Sequence, residues 1–299
     1  MPELPDITIY VEALEKRVLG QRLKRIRVID PFVLRSVVLP PSQLENRTVT
    51  GVERLGKKVV VAFDGDTYLI MHLMIAGRLR WSEALQKGGE AAGRSTGLMQ
   101  LKFDTGTLTL TEAGTKRRAA VHVVRGREGL REHDAGGIEP MEADWATLAE
   151  ALRRENRTLK RALTDPVTVS GVGNAYSDEI LHAGQLSPLA LTRHLTDEEV
   201  GRLHGAMRDT LRLWIHRLRS QWKNRWPTKV TAFRPEMAVH GKFGQPCPVC
   251  GTAVQRIVRA ENEINYCPGC QTGGRVLKDR SLSRLLRDDW PGEDPNASK

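Results

Sequence analysis

The stretch Cys247-Pro-Val-Cys250, followed by Cys267-Pro-Gly-Cys270, decides the fold of the C-terminal part of the chain. The two CxxC pairs are separated by sixteen residues that include several β-branched ones. This spacing is typical of a ribbon in which four thiolates bind one Zn²⁺. Since protein ligands fill all four positions, the predicted zinc is structural. A redox-active dithiol is the alternative interpretation.

Basic residues flank these cysteines, among them Lys242, Arg256 and Arg259. A ribbon with such a surface contacts nucleic acid more often than protein, although a solvated basic face is the alternative. The whole chain of 299 residues has 46 Lys and Arg against 36 Asp and Glu, a net charge of +10. This excess favours a polyanionic partner, and an anionic membrane surface would also attract it.

The chain has no apolar run near the ~20 residues that span a bilayer. Its N-terminus also lacks the basic and then apolar pattern of a signal segment. We therefore expect a soluble, cytoplasmic, nucleoid-associated monomer that does not bind membranes.

A glycine-rich motif, Gly171-Val-Gly173-Asn174-Ala-Tyr176-Ser-Asp178-Glu179, precedes a predicted helix. Glycines at a helix start leave backbone N–H groups and the positive end of the helix dipole at one point, which favours a phosphate. No strand of a βαβ unit precedes the motif, which argues against a dinucleotide-binding fold. A tight turn between two helices is the alternative.

The chain begins Met1-Pro2-Glu3-Leu4-Pro5-Asp6. Removal of Met1 would leave Pro2 as a terminal secondary amine with a pKa of roughly 8 or above, able to attack a carbonyl carbon and form an iminium. Glu3 is an acid placed to manage the protons of that step. An ordinary Met-Pro start is the alternative.

The apolar periodicity changes twice along the chain. A helix is predicted over 6–19, then short strands and hairpin turns that indicate a sandwich or barrel, then helices beyond an acidic linker at 134–144. The predicted strands are 23–29, 47–54, 58–63, 68–74, 98–104, 107–111 and 119–124, with an exposed loop at 82–95. The predicted helices are 145–154, 158–163, 174–183, a long one capped by Thr196, and 275–287 in the tail.

Two further clusters, Leu55-Gly56-Lys57-Lys58 and His72-Leu-Met-Ile-Ala-Gly-Arg78, complete a set of motifs in a specific order. With the Met-Pro-Glu start, the GxGN turn and the four cysteines, residues 1–271 resemble the formamidopyrimidine-DNA glycosylase and endonuclease VIII family. The resemblance implies an α+β multidomain fold: an N-terminal β-sandwich with a helix, an all-α helix–two-turn–helix domain and a zinc ribbon. The implied boundaries are 1–132 for the sandwich domain, 133–144 for a linker, 145–235 for the helical domain, 236–272 for the ribbon and 273–299 for an extension.

The resemblance also implies a base-excision DNA glycosylase with abasic-site lyase activity, acting on damaged double-stranded DNA held between the domains. Pro2 corresponds to the nucleophile, Glu3 to the acid that assists opening of the sugar, and Lys57 to a catalytic residue that holds a phosphate. The implied DNA-binding residues are His72, Lys160, Asn174, Tyr176, Lys242 and Arg259.

Several positions depart from the family pattern. Asn262 stands where an arginine is usual, five residues before the third cysteine, and Arg259 is the nearest candidate to replace it. Ile75 replaces a methionine, Asp6 a glutamate, and the segment 116–119 has no aromatic residue. The loop over the flipped base would fall in 221–233, with Trp222 and Trp226. These changes predict altered lesion preference, or a damaged-DNA binding protein without base excision. A purely structural module explains neither Pro2-Glu3 nor Lys57.

Overall fold

The computed structural model describes residues 1–35, 39–84, 97–113, 117–230, 233–259 and 262–277. Contacts within the chain define two compact units. The N-terminal unit comprises Met1–Ala135 and Trp214–Ala232, and the C-terminal unit comprises Gly136–Leu213 and Phe233–Lys299. None of the helices found in the described ranges is both long and apolar enough to cross a membrane.

The N-terminal unit contains a β-sandwich of two four-stranded antiparallel sheets. One sheet has the order β1-β6-β7-β5, and the other has the order β2-β3-β4-β8. Their bounds are β1 Arg25–Val28, β2 Val49–Leu55, β3 Lys58–Phe63, β4 Thr67–His72, β5 Gly77–Glu83, β6 Gly97–Lys102, β7 Gly106–Glu112 and β8 Ala120–Arg125.

Side chains from the facing sides of both sheets form one core with helix α1 (Leu4–Val18). On β3, Val59 and Val61 enter this core, while Val60 packs on the other side of the sheet against Leu130 of the short helix α2 (Gly126–Arg131). This two-residue alternation is what a sheet buried on both faces requires. The predicted sandwich is confirmed.

Strand β5 was not among the predicted strands. Its sequence, Gly-Arg-Leu-Arg-Trp-Ser-Glu, does alternate, but only Leu79 and Trp81 are large apolar residues. It pairs with β7 along its whole length, from Gly77 opposite Glu112 to Glu83 opposite Gly106. Pairing with a neighbour supplied the stabilisation that its own composition does not indicate.

The C-terminal unit is helical up to the cysteines. Helix α6 has a capping box, in which Thr196 Oγ1 accepts from the N–H of Glu199 at 3.2 Å and Glu199 Oε2 accepts from the N–H of Thr196 at 2.9 Å. The apolar stripe of α6, which runs from Val200 to Leu218, is buried. The helices are α3 Trp145–Arg153, α4 Leu159–Thr164, α5 Asn174–Ala183 and α6 Asp197–Trp222, whose last nine residues belong to the N-terminal unit.

The cysteine-rich region is a two-stranded ribbon. Strand β9 (Gln255–Arg259) pairs antiparallel with β10 (Asn262–Tyr266), and the short helix α7 (Pro268–Gln271) follows. Beyond the described residues lie Lys116 and most of the predicted loop 82–95. The tail from residue 278 onward, with most of the predicted helix 275–287, also lies outside them.

Candidate active site and phosphate-binding turn

The start of α1 holds the N-terminal residues in a buried position. Asp6 Oδ2 accepts from the backbone N–H of Glu3 at 3.1 Å, and the N–H of Asp6 bonds in return to the Glu3 carboxylate. Pro5 lies in the first helical turn, where a missing N–H costs nothing. Glu3 is only 2% exposed and Pro2 is buried beside it. The terminus is therefore pinned and does not fray.

The amine at the chain start is desolvated. Burial lowers the pKa of the Met1 amine below its ordinary value of 8.0, and the Glu3 carboxylate opposes that shift. Arg78 and Lys57 act in the same direction as burial. Removal of Met1 would leave the amine on Pro2, which is buried beside Glu3.

Lys57 lies in the two-residue turn Gly56-Lys57 between β2 and β3, where Leu55 pairs with Lys58. Gly56 has φ +59°, which this tight turn requires. Burial lowers the pKa of Lys57, and Glu3 partly restores it. In the described part of the chain the Lys57 ammonium makes no hydrogen bond, so it is available to a ligand.

His72 ends β4 directly opposite Lys58 of β3. Burial, reinforced by the positive charges of Lys58 and Lys57, lowers the pKa of His72 to about 4. The ring is therefore neutral at pH 7 and can meet a phosphate through an N–H hydrogen bond but not through charge. Lys58 differs from Lys57, because its ammonium donates to the carbonyl of His133.

A tight turn follows His72. The N–H of Gly77 donates to the carbonyl of Leu73 at 2.8 Å, and Met74 adopts φ +52°. A Cβ at residue 77 would lie 2.2 Å from the Leu73 carbonyl oxygen, so only glycine fits. The turn leaves Ile75 57% exposed.

The glycine turn before α5 holds Asn174 and Tyr176 in different ways. Gly171 has φ +77° and Gly173 is the N-cap residue. Asn174 Nδ2 donates to the carbonyl of Glu263 on β10 at 2.9 Å, which ties the turn to the ribbon. Tyr176 is fully buried. Its side chain is therefore not exposed to a phosphate at this turn.

Lys160 does not lie where direct contact with DNA requires it. Its side chain is buried, and its ammonium donates to Asp178 Oδ1 and, at 2.6 Å, to the carbonyl of Asn174. His240 Nδ1 lies 2.8 Å from the other oxygen of Asp178. The predicted contact is corrected on this point, because the buried Asp178 carboxylate needs a counter-charge and Lys160 supplies it.

The neighbouring Glu179 is equally enclosed. Its two carboxylate oxygens accept from the backbone N–H groups of Ala238, Val239 and His240 at 2.8, 2.9 and 3.0 Å. Such charge-assisted bonds are shorter and stronger than neutral ones. Helix α5 thereby fixes the segment that leads into the ribbon.

The four cysteine sulfurs lie within 4.8 Å of one another. Sγ of Cys247 is 3.8 Å from that of Cys270, and Sγ of Cys250 is 3.3 Å from that of Cys267. Four thiolates at about 2.3 Å from a tetrahedral Zn²⁺ would be about 3.8 Å apart, so the cluster fits one structural zinc. His182 Nε2 lies 3.3 Å from Cys247 Sγ and orients that ligand.

Lys242 and Arg259 are the remaining predicted DNA contacts. Lys242 is half-buried in the loop ahead of Cys247. Arg259 ends β9 and pairs directly with Asn262, the first residue of β10.

Trp226 belongs to the core of the N-terminal unit, which corrects its predicted place in a loop over the flipped base. It is 8% exposed, its Nε1 donates to the Leu79 carbonyl at 2.9 Å, and its ring lies 6.1 Å from that of Trp81. A buried indole with its N–H satisfied gains more by staying in the core. Trp222, the last residue of α6, is half-buried and lines a pocket with Arg17 and Arg219.

Asp178, Glu179 and His240 have structural roles that the sequence did not indicate individually. The first two lie inside the GxGN motif and carried a signal only as part of it. His240 is isolated in the sequence, and only the fold brings it to Asp178.

Three family models match the chain. They are the formamidopyrimidine-DNA glycosylase N-terminal domain over residues 1–121, the formamidopyrimidine-DNA glycosylase H2TH domain over 137–224, and the zinc finger found in FPG and IleRS over 244–273. These ranges cover, respectively, the segment Pro2-Glu3 with Lys57, the glycine turn at residues 171–174 and the four cysteines.

Curated relatives and solved structures agree with these models. The formamidopyrimidine-DNA glycosylase of Thermus thermophilus is 32% identical, over 92% of this chain and 100% of its own, and that of Exiguobacterium sibiricum is 30% identical, over 91% and 99%. The crystal structure of the MutM (Fpg) protein from T. thermophilus has a TM-score of 0.74 at 29% identity, covering 90% of this chain and 98% of its own. A Lactococcus lactis Fpg variant in complex with DNA containing Fapy-dG has a TM-score of 0.75 at 25% identity, covering 91% and 100%. The chain belongs to the formamidopyrimidine-DNA glycosylase family.

Proposed function

We propose that the chain is a base-excision DNA glycosylase that also cleaves the strand at the abasic site it creates. The observation that carries this function is the buried amine-terminal segment Pro2-Glu3, with the desolvated Lys57 ammonium in its electrostatic field. Its substrate is damaged double-stranded DNA in the bacterial cytoplasm, as the names and bound DNA of the relatives support.

The first half of the reaction breaks the glycosidic bond. After Met1 is removed, the nitrogen of Pro2 attacks C1′ of the damaged nucleotide, and the base departs with the electron pair of the C1′–N bond. Glu3 delivers a proton to the ring oxygen O4′, so the sugar opens and an iminium joins Pro2 to C1′. The attack requires the neutral form of the Pro2 amine, and the buried position of Pro2 disfavours the charged form.

The second half cleaves the strand. The iminium withdraws electrons and acidifies the C2′ proton, whose loss expels the 3′ phosphate by β-elimination. A second elimination would expel the 5′ phosphate, and water then hydrolyses the iminium to free Pro2. Cys247, Cys250, Cys267 and Cys270 would hold one structural zinc, which would crosslink the ribbon and take no part in the reaction.

Phosphate contacts come from both units under this proposal. Lys57 contributes a positive charge, whereas His72 contributes an N–H from a neutral ring. At the glycine turn the positive end of the α5 dipole favours a phosphate, and Asn174, whose Nδ2 donates to the Glu263 carbonyl, lies at that helix start.

Arg259 replaces the guanidinium that Asn262 lacks. The support is the register of the ribbon, which pairs the two residues directly. A guanidinium can bind a phosphate with two parallel hydrogen bonds, which the Asn262 amide cannot. Arg259→Ala is expected to weaken DNA binding more than Asn262→Ala, as measured by fluorescence anisotropy. Equal effects would contradict this assignment.

Trapping with borohydride tests the function. Protein whose loss of Met1 has been verified by mass spectrometry is incubated with a duplex that contains one abasic site, and borohydride then reduces any iminium to a stable covalent complex. We expect a complex through residue 2. Absence of a complex would refute the lyase activity.

A damaged-DNA binding protein without base excision is the second candidate, favoured by Asn262 and by the lack of an aromatic residue in 116–119. A panel of duplexes with oxidised purines and pyrimidines separates the two candidates. Release of any of these bases eliminates the binding-only function.

A further inference from the structure

Phe32 is the most exposed large apolar side chain of the described residues. It is 80% exposed, compared with 57% for Ile75 and 50% for Leu19, the other exposed large apolar residues of the described N-terminal unit. A single exposed apolar residue is ordinary. What distinguishes Phe32 is how it is held and where it lies.

The local structure points this ring outward. Phe32 is the middle residue of a 3₁₀ turn, Pro31–Val33, capped by Asp30, whose Oδ1 accepts from the N–H of Phe32 at 3.1 Å. The next residue, Val33, is 3% exposed and belongs to the sandwich core. Since Val33 anchors one side of the turn, Phe32 is presented on the other.

The turn is attached to the first residues of β8. Leu34 forms a parallel bridge with Val121, and the N–H of Arg35 donates to the Val121 carbonyl at 2.9 Å. Asp30 also forms an ion pair with Arg117, just ahead of β8. These three contacts fix the turn beside the start of that strand.

The start of β8 lies at the same end of the sheet as the catalytic residues. Ala120 of β8 pairs with His72 of β4, which in turn pairs with Lys58 of β3, next to Lys57. Three strand spacings of about 4.8 Å separate the Leu34 segment from β3, a distance of about 14 Å. This is the span of a few base-pair steps along a duplex that is bound at Lys57.

We propose that Phe32 is a wedge that enters the base stack of the duplex beside the damaged nucleotide. Phenylalanine inserted between base steps unstacks them, and its ring replaces part of the lost stacking. The exposed Arg35, next to the turn, is placed to hold an adjacent phosphate, while Arg117 is paired with Asp30 and fixes the turn. The wedge lowers the cost of rotating the base out of the helix. The proposal rests on the function proposed above and identifies the residue that opens the duplex.

The test compares Phe32→Ala with the wild-type protein on one lesion-containing strand, presented either as a duplex or as a single strand. We expect Phe32→Ala to slow single-turnover incision of the duplex about tenfold and to leave the single-strand rate unchanged, because only the duplex must be opened. Phe32→Trp, which keeps a large aromatic ring, should incise the duplex at the wild-type rate. Leu19→Ala is the matched control, since Leu19 is an exposed apolar residue of the same unit at the opposite end of α1 from Pro2, and it should incise both substrates at the wild-type rate.

A second readout does not depend on catalysis. With 2-aminopurine opposite an uncleavable abasic analogue, wild-type protein should raise the fluorescence by unstacking the probe, and Phe32→Ala should not. The role of Phe32 as a wedge would be refuted if Phe32→Ala and the wild-type protein showed equal duplex incision rates and equal fluorescence. It would also be refuted if Phe32→Ala lost the same factor in rate on the duplex and on the single strand. If the proposed function fails, the wild-type protein will form no covalent complex under borohydride. The difference in 2-aminopurine fluorescence between wild-type protein and Phe32→Ala then tests the role of Phe32 without any catalysis.

Discussion

Ionisable side chains cluster both at the start of α1 and at the glycine turn before α5. In the first region burial shifts their pKa values, whereas in the second the buried charges are paired. Near the chain start, burial lowers the pKa of the Met1 amine, of Lys57 and of His72. At the glycine turn, the buried Lys160 and Asp178 are paired, and Glu179 accepts three backbone N–H bonds.

This difference in pairing separates groups that can form a bond to a ligand from groups that hold other segments of the protein in place. A nucleophile or a phosphate ligand must keep its capacity for a new bond, and partial burial without a dedicated partner preserves that capacity. A buried charge with every bond satisfied contributes rigidity and holds the ribbon and the turn in place. We therefore propose that the first region carries the chemistry and that the second region holds the ribbon and the glycine turn in place.

The largest effect is expected from blocking the N-terminus. A protein that retains Met1, or carries an uncleaved N-terminal peptide, should form no covalent complex with abasic DNA under borohydride, because no secondary amine is available. Binding to a duplex with an uncleavable abasic analogue should persist, which serves as the control. A complex formed by the blocked protein would move the nucleophile away from Pro2.

Breaking the charge pair of the second region should cost stability. Lys160→Met leaves the buried Asp178 carboxylate without its ammonium and should lower the free energy of unfolding by about 3–5 kcal/mol. Urea denaturation measures the change, and Arg161→Met, at an exposed position of the same helix, should shift it by less than about 0.5 kcal/mol. Equal, small effects for both variants would mean that Lys160 is not the counter-charge of Asp178.

The pH dependence of stability tests whether His72 is neutral. Its pKa is about 4 in the folded protein and ordinarily 6.5, so the unfolded chain binds this proton more readily. Its contribution to stability is present above pH 6.5 and is lost as the pH falls toward 4, amounting to about 2 kcal/mol at pH 5. Urea unfolding at pH 7 and pH 5 should show a steeper loss for the wild-type protein than for His72→Gln. Identical losses of stability for the wild-type protein and His72→Gln would mean that His72 is not held neutral by burial. The contrast between the two regions would then be weaker.

The smallest effect separates two adjacent lysines. Lys57→Ala should reduce the slope of log binding constant against log salt by about 0.9, the value for one phosphate contact. Lys58→Ala should leave the slope unchanged, because the Lys58 ammonium already donates to the His133 carbonyl. Fluorescence anisotropy over a series of salt concentrations gives both slopes. An unchanged slope for Lys57→Ala would remove Lys57 from the phosphate contacts.

Patterns within one element were predictable from the sequence. The bounds of α5, the capping box of α6 and its buried stripe follow from residues a few positions apart. The cysteine spacing is equally local. The domain boundaries and the roles of the site residues remain predictions.

Features that depend on distant partners were not predictable. Trp226 lies in a polar segment whose composition indicates a loop, yet it is buried because Trp81 and Tyr10 provide a place for its ring. Lys160 reads as a surface cation, and only its contact with Asp178, eighteen positions away, turns it inward.

By itself, the sequence determined the candidate groups: Pro2 beside Glu3, a glycine turn at a helix start, and four cysteines at zinc-binding spacing. These depend on covalent chemistry and on the short-range geometry of the backbone. The tertiary structure decided which charges are satisfied and which remain available, since desolvation and pairing depend on residues far apart in the chain. It also decided the exposure of Phe32, which no local pattern distinguishes from a core aromatic.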